Sequence, residues 1–128
     1  MKLLLYTHIF LWYISGDERL PIDKRESIRN PDNEVYFSVV SLWEAIIKYQ
    51  FDKLPLPEPA ESYLSKQRER HQIASLTLNE ASVAHLAQLP PIHRDPFDRM
   101  LICQANVLGL TIVTVDDVIP KYPVAVLK

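Results

Sequence analysis

Only two of the 128 residues are glycine. So few cannot build a glycine-rich loop that wraps a phosphate, and neither a Walker motif nor a dinucleotide-binding fingerprint is present. A G-x-S-x-G nucleophile elbow is missing as well. The single cysteine, Cys103, excludes an intramolecular disulfide and a cysteine-built zinc site, and it suits a reducing compartment, so the expected location is cytoplasmic. It sits inside the apolar run Met100-Leu101-Ile102-Cys103 and reads as a buried core thiol rather than a nucleophile. Charge of neither sign prevails: 14 Lys and Arg face 16 Asp and Glu, a net charge of -2. With no overall positive field to attract nucleic acid, RNA binding would have to come from local geometry. No stretch reaches the roughly 18 apolar residues that would span a bilayer. The apolar start, Met1 to Ile14, looks like a short signal peptide, but Thr7 and His8 interrupt it and Ser15-Gly16-Asp17-Glu18 offers no small-x-small cleavage site. It reads instead as a buried strand running into a helix.

The composition that is present, 48% hydrophobic and 23% charged, is that of an ordinary folded domain. The length predicts one domain over residues 1–128 that buries about two-thirds of its unfolded surface. Leu3-Leu4-Leu5 fits a strand buried on both faces, with a helix from His8 to Ile14 ending near Gly16. A short helix is expected over Pro21 to Arg29, a strand at Val35-Tyr36-Phe37 and an amphipathic helix from Ser41 to Phe51. Pro59 is placed to open a helix to about His71, Ile73 to Leu78 reads as extended, and Asn79 reads as the N-cap of a helix through Gln88. The strongest helical pattern runs from Asp95-Pro96 to Gly109, followed by the β-branched strand Thr111 to Val115. A helical turn around Val118 to Tyr122 and a last strand over Val124 to Leu127 complete the chain. Strands alternating with helices predict an α/β/α sandwich on a mostly parallel sheet.

In such sheets functional groups gather where strands end and helices begin. Those junctions carry Tyr6; Ser38, Ser41 and Glu44; Asp116 and Asp117; and, at the start of the strongest helix, Asp95 and Asp98. Carboxylates are the ligands that Mg²⁺ and Mn²⁺ select. Each acid also has a local role open to it. Ser41-Leu42-Trp43-Glu44 has the form of a capping box, Asp95 suits an N-cap ahead of Pro96, and Asp116 and Asp117 suit a turn. Their shared location, rather than any single acid, favours a site. His8, His71, His85 and His93 show no metal-binding spacing and read as surface or core-edge residues. Lys48, Lys53, Lys66, Arg68 and Arg70 read as a solvated face before an RNA-binding rim.

Four blocks together, Lys2-Leu3-Leu4-Leu5-Tyr6-Thr7-His8, Ser38-Val39-Val40-Ser41-Leu42-Trp43-Glu44 with Lys48, Leu89 to Ile102 with its His93-Arg94-Asp95-Pro96-Phe97-Asp98-Arg99 core, and Thr114-Val115-Asp116, resemble PIN-domain proteins of the VapC toxin type. The resemblance covers essentially the whole chain. It implies a Mg²⁺- or Mn²⁺-dependent endoribonuclease, the toxin of a toxin-antitoxin pair, held by a small antitoxin and dimeric. It maps the family's acidic cluster, as metal ligands and catalytic residues, onto Glu44, Asp98 and Asp116, with Asp95 as an accessory acid. One position departs from the pattern: Tyr6 stands where the family has aspartate. A phenol is neutral at pH 7 and a much poorer ligand for a hard cation than a carboxylate, so an impaired site is expected. The competing expectation is a catalytically inactive binding module for an antitoxin or RNA whose acids only cap helices. A phosphatase or response-regulator-like domain would also want an aspartate at position 6.

Overall fold

The computed structural model describes all of residues 1–128. Strand β1 (Lys2–Leu5) holds Leu3, Leu4 and Leu5, none more than 1% exposed. Successive strand residues point to opposite faces, so three buried leucines in a row mean that both faces of the strand are covered. Then come α1 (Thr7–Ser15), α2 (Ile22–Arg29), β2 (Glu34–Ser38), α3 (Val39–Gln50), α4 (Ala60–Arg70), β3 (Ala74–Leu76), α5 (Glu80–His85), α6 (Pro96–Leu108) and β4 (Thr111–Val113). The strands form one sheet in the order β3-β2-β1-β4, with every pair parallel. The expected α/β architecture is borne out, and the sheet is parallel throughout rather than mostly so. No helix is long and apolar enough to cross a membrane.

The order of the strands positions the site. From β1 the chain steps outward through β2 to β3, then returns to place β4 on the other side of β1. Loops leaving neighbouring strands diverge at such a reversal and open a crevice at the strands' carboxyl ends. Leu5 lies opposite Val113, and the Tyr6 amide donates to the Val113 carbonyl at 3.0 Å. Tyr6 and the residues just after Val113 therefore face one another across that crevice.

Both glycines close helices. Gly16 and Gly109 follow α1 and α6 at φ +67° and +68°, in the left-handed region where a Cβ is strained. Behind the crevice, Phe10 of α1 stacks on Phe37 of β2 at 3.9 Å, and Cys103 is fully buried, as its apolar run predicted.

Four local expectations need correction. Helix α3 starts at Val39 rather than Ser41, because the Ser38 hydroxyl accepts the Val40 amide and is the true N-cap. The Ser41–Glu44 capping box is therefore absent; Ser41 lies inside the helix, its buried hydroxyl without a partner. Strand β4 stops at Val113, since Thr114 Oγ1 accepts the Asp116 amide and turns the chain. The last strand is reduced to one parallel bridge between Val126 and Ile112. The helix after Asn79 tightens to a 3₁₀ turn at Leu86–Gln88 after two turns.

Candidate active site

The crevice at the carboxyl ends of β1 and β4 has a volume of about 190 Å³, and Tyr6, Glu44, Asp95, Asp98 and Asp116 all line it, beside His8 and Lys48. Three separate segments thus deliver their acids to one place, beside Tyr6 from a fourth. A larger groove of about 500 Å³ lies at the amino ends of β2 and β3, with Glu34 its only acid.

Glu44 is buried on the second turn of α3. Thr7 Oγ1, in the first turn of α1, donates to its Oε1 at 2.7 Å, and Lys48 Nζ, one turn along α3, pairs with Oε2 at 2.9 Å. Both carboxylate oxygens are therefore oriented, one by a buried hydroxyl and one by a half-exposed ammonium. Asp95 is the N-cap of α6: its Oδ1 accepts the amides of Phe97 at 2.9 Å and Asp98 at 3.1 Å, with Pro96 at the first helical position. Asp116 Oδ1 accepts the Val118 amide at 2.9 Å, so the turn-forming role open to it in the sequence is real. Asp117 does not line this crevice but an adjacent groove with Lys24 and the C-terminal residues.

Asp98 sits in the first turn of α6 and is only 7% exposed. Its Oδ2 meets His93 Nε2 at 2.9 Å. Burial above all pushes its carboxyl up from the usual range, and the neighbouring Asp95 and Glu44 charges add to the effect, while the Tyr6 hydroxyl and His93 pull the other way. His93 is held in turn by its own backbone amide, which donates to the Tyr122 hydroxyl at 2.6 Å. The four-residue approach to α6 had pointed to Asp95 and Asp98 in the sequence, whereas His93 was read as an edge residue. Its pairing with Asp98 spans a turn and a helix start, and no spacing rule marks it.

Tyr6 stands at the end of β1, where the resemblance led to the expectation of an aspartate. It is 4% exposed, and its hydroxyl is buried with no hydrogen bond of good geometry, although it faces Asp98. Burial first, then Asp98, then Asp116 and Asp95 drive the phenol far above its ordinary value near 10, so it is neutral at any physiological pH. The ring packs against the His8 imidazole at 5.1 Å, and burial lowers the His8 pKa from its ordinary value.

The donor chemistry fits a divalent cation in part. Carboxylate oxygens from three segments converge, and the Asp95 carboxylate is held by two amides at the start of α6. The ligand atoms that lie within 4.8 Å of one another belong to His93, Asp95 and Asp98; Glu44 and Asp116 line the same crevice outside that trio. At the end of β1 a neutral phenol replaces the expected carboxylate.

Comparison with known proteins agrees with this geometry. The PIN domain family model matches residues 3–125. Ribonuclease VapC16 of Mycobacterium tuberculosis is 33% identical over 63 residues, 49% of this chain, and the chain spans just under half the length of that relative, 45%. Among solved structures, VapBC2 from Rickettsia felis bound to a DNA fragment from its promoter superposes with a TM-score of 0.74 at 18% identity, covering 100% of this chain and 98% of that one. DNA-bound VapBC from Salmonella typhimurium gives 0.73 at 22% identity, covering 100% and 97%. These likenesses extend over the whole fold, and with a family model matched from Leu3 to Ala125 the chain belongs to the PIN-domain family.

Proposed function

We propose that the protein is a divalent-cation-dependent endoribonuclease, the toxin of a toxin-antitoxin pair, whose activity is impaired by Tyr6. The observation that carries this reading is the convergence of Glu44, Asp95, Asp98 and Asp116 on one crevice at the topological switch point of the sheet. Glu44, Asp98 and Asp116 are the residues that hold Mg²⁺ or Mn²⁺, with Asp95 as the accessory acid. When bound, the cation supplies Lewis acidity, orienting a water and offsetting charge on a scissile phosphodiester. The side chains prepare the rest. Thr7 fixes the rotation of the Glu44 carboxylate, and Lys48 balances part of the negative charge that would otherwise repel a phosphate backbone. Tyr6 blocks the arrangement twice, since it brings no charge and its ring takes space that an aspartate would leave open.

The partners follow from the same reading: an RNA substrate, a small antitoxin protein and a second copy of this chain as a homodimer, all in the cytoplasm. The solved relatives in VapBC complexes support the antitoxin. The test is Tyr6→Asp, assayed for RNA cleavage with Mg²⁺ or Mn²⁺. The expected result is cation-dependent cleavage above that of the unaltered chain, lost again on adding Asp98→Asn. No gain in Tyr6→Asp removes the nuclease reading. The second reading, an inactive module that binds an antitoxin or RNA, is favoured by the buried, neutral Tyr6 phenol.

A further inference from the structure

We infer that the groove between Lys24 of α2 and the C-terminal segment carries the stretch of single-stranded RNA next to the scissile bond, with the Lys24 ammonium on the flanking phosphate. This deepens the ribonuclease reading of the adjoining crevice and rests on it. The groove has a volume of about 440 Å³, room for a nucleotide, and it shares Asp116 with the crevice, so the two are continuous.

An acidic crevice does not by itself hold a polyanion. Of the bases that line it, Lys48 is paired with Glu44 at 2.9 Å, and burial holds the His8 imidazole toward its neutral form. Affinity for RNA comes from cations on its phosphates, so uncompensated ones have to sit where the strand enters or leaves. Two neighbouring grooves share lining residues with the crevice, and they differ in this respect. The one that shares Leu11 and Leu54 has a volume of about 330 Å³, and its cation, Arg19, is tied to Asp17 at 2.7 Å. On the Asp116 side, Lys24 takes part in none of the ion pairs of the chain, and its Nζ donates only to the Leu127 carbonyl at 3.4 Å. That bond is long and leaves the charge of a half-buried ammonium unmatched. Asp117, the other acid of this groove, is exposed and makes no contact with it. A phosphate oxygen beside Lys24 supplies the missing partner. Val115, 40% exposed, gives the ribose and base an apolar wall with Pro120 and Val124.

The experiment measures binding of a short single-stranded RNA to the full chain by fluorescence anisotropy, in EDTA to prevent cleavage and across a salt series. The unaltered chain is compared with Lys24→Gln, Lys24→Arg and Arg19→Gln. Lys24→Gln should weaken binding about three-fold or more and lower the slope of log affinity against log salt by about 0.7, the share of one phosphate on a single strand. Lys24→Arg, which keeps the charge, and Arg19→Gln, on the other groove, should each stay within about two-fold of the unaltered chain. Loss of the Leu127 contact alone would lower stability and leave the salt slope where it was. Thiouridine placed in the same RNA should cross-link to the segment Val115 to Val126 rather than to Leu54 to Tyr63, a readout that needs no variant. The inference is overturned if no RNA binds, if Lys24→Gln is silent, if Arg19→Gln weakens binding as much, or if the cross-links fall on Leu54 to Tyr63. In each of those cases RNA cleavage by Tyr6→Asp still decides the nuclease reading by itself. If Tyr6→Asp cleaves nothing, the nuclease reading falls and takes this inference with it.

Discussion

Thr7 Oγ1 donates to Glu44 Oε1 at 2.7 Å across 37 residues of chain, tying the first turn of α1 to the second turn of α3 at the mouth of the acidic crevice. Both residues are buried, so the bond is not in competition with water. Thr7→Val keeps the shape of the side chain and deletes the donor. A buried carboxylate that loses a charge-assisted partner should cost about 1.5–3 kcal/mol, measured as a lower urea midpoint with an unchanged slope. Thr7→Ser should restore most of it.

The Tyr6 hydroxyl gives an opposite prediction. Because its hydroxyl makes no hydrogen bond of good geometry and only faces Asp98, Tyr6→Phe removes a buried polar atom at little cost, and the variant should lie within about 1 kcal/mol of the parent. Tyr6→Asp should be less stable, because it deletes a ring from the core and adds a third like charge to the Asp95 and Glu44 charges beside Asp98. A divalent cation that binds only the folded form should then recover part of that loss, read as a melting temperature that rises with cation concentration. A Tyr6→Phe variant that melts well below the parent would show that the hydroxyl has a partner after all.

Asp98 carries the pH dependence. Its folded pKa is raised, chiefly by burial, so between the ordinary carboxylate value and the folded one the folded state holds a proton that the unfolded state has released. The corresponding stability is fully present below the ordinary value and is lost as pH rises through the folded one. Asp98→Asn, which can still accept a hydrogen bond from His93, should therefore melt higher than the parent at pH 7, and the difference should shrink as the pH falls toward 4. Thermal melts of the two proteins across that interval check the sign.

Asp95 separates a helix cap from a cation ligand. Asp95→Asn retains an oxygen for the amides of Phe97 and Asp98, whereas Asp95→Ala removes it and should cost about 1–2 kcal/mol. If the residue were a cap alone, Asn would leave both stability and divalent-ion affinity intact. The proposed role as accessory acid requires Asn to keep most of the stability while weakening the binding of Mn²⁺.

What could be read from the sequence was local. The Asp95 cap, the glycine stops at Gly16 and Gly109, the Asn79 cap and the fully buried first strand each depend on residues within a turn of one another, and all appear where their patterns put them. Ser38 and Ser41 illustrate the limit. Both precede an apolar stripe, and the S-x-x-E pattern favoured the second, yet the first ends a strand and caps the helix. Val39 and Val40, which the sequence left between strand and helix, are β-branched yet open the helix, so tertiary packing overrode their propensity. The pairing of His93 with Asp98, and the confrontation of Tyr6 with Asp116, depend on a turn conformation and on which strand neighbours β1. No periodicity reports either one.

The placement of β4 beside β1 also has a consequence for when the crevice comes into being. Its two walls are supplied by residues 6 and 116, so the acidic pocket has no existence in a chain interrupted before Thr111, however well the earlier helices have formed. Contacts this distant along the polypeptide are made late and slowly. A chain that lacks β4 can carry helices α1 to α6 but has no assembled pocket, and so none of the chemistry that the pocket performs.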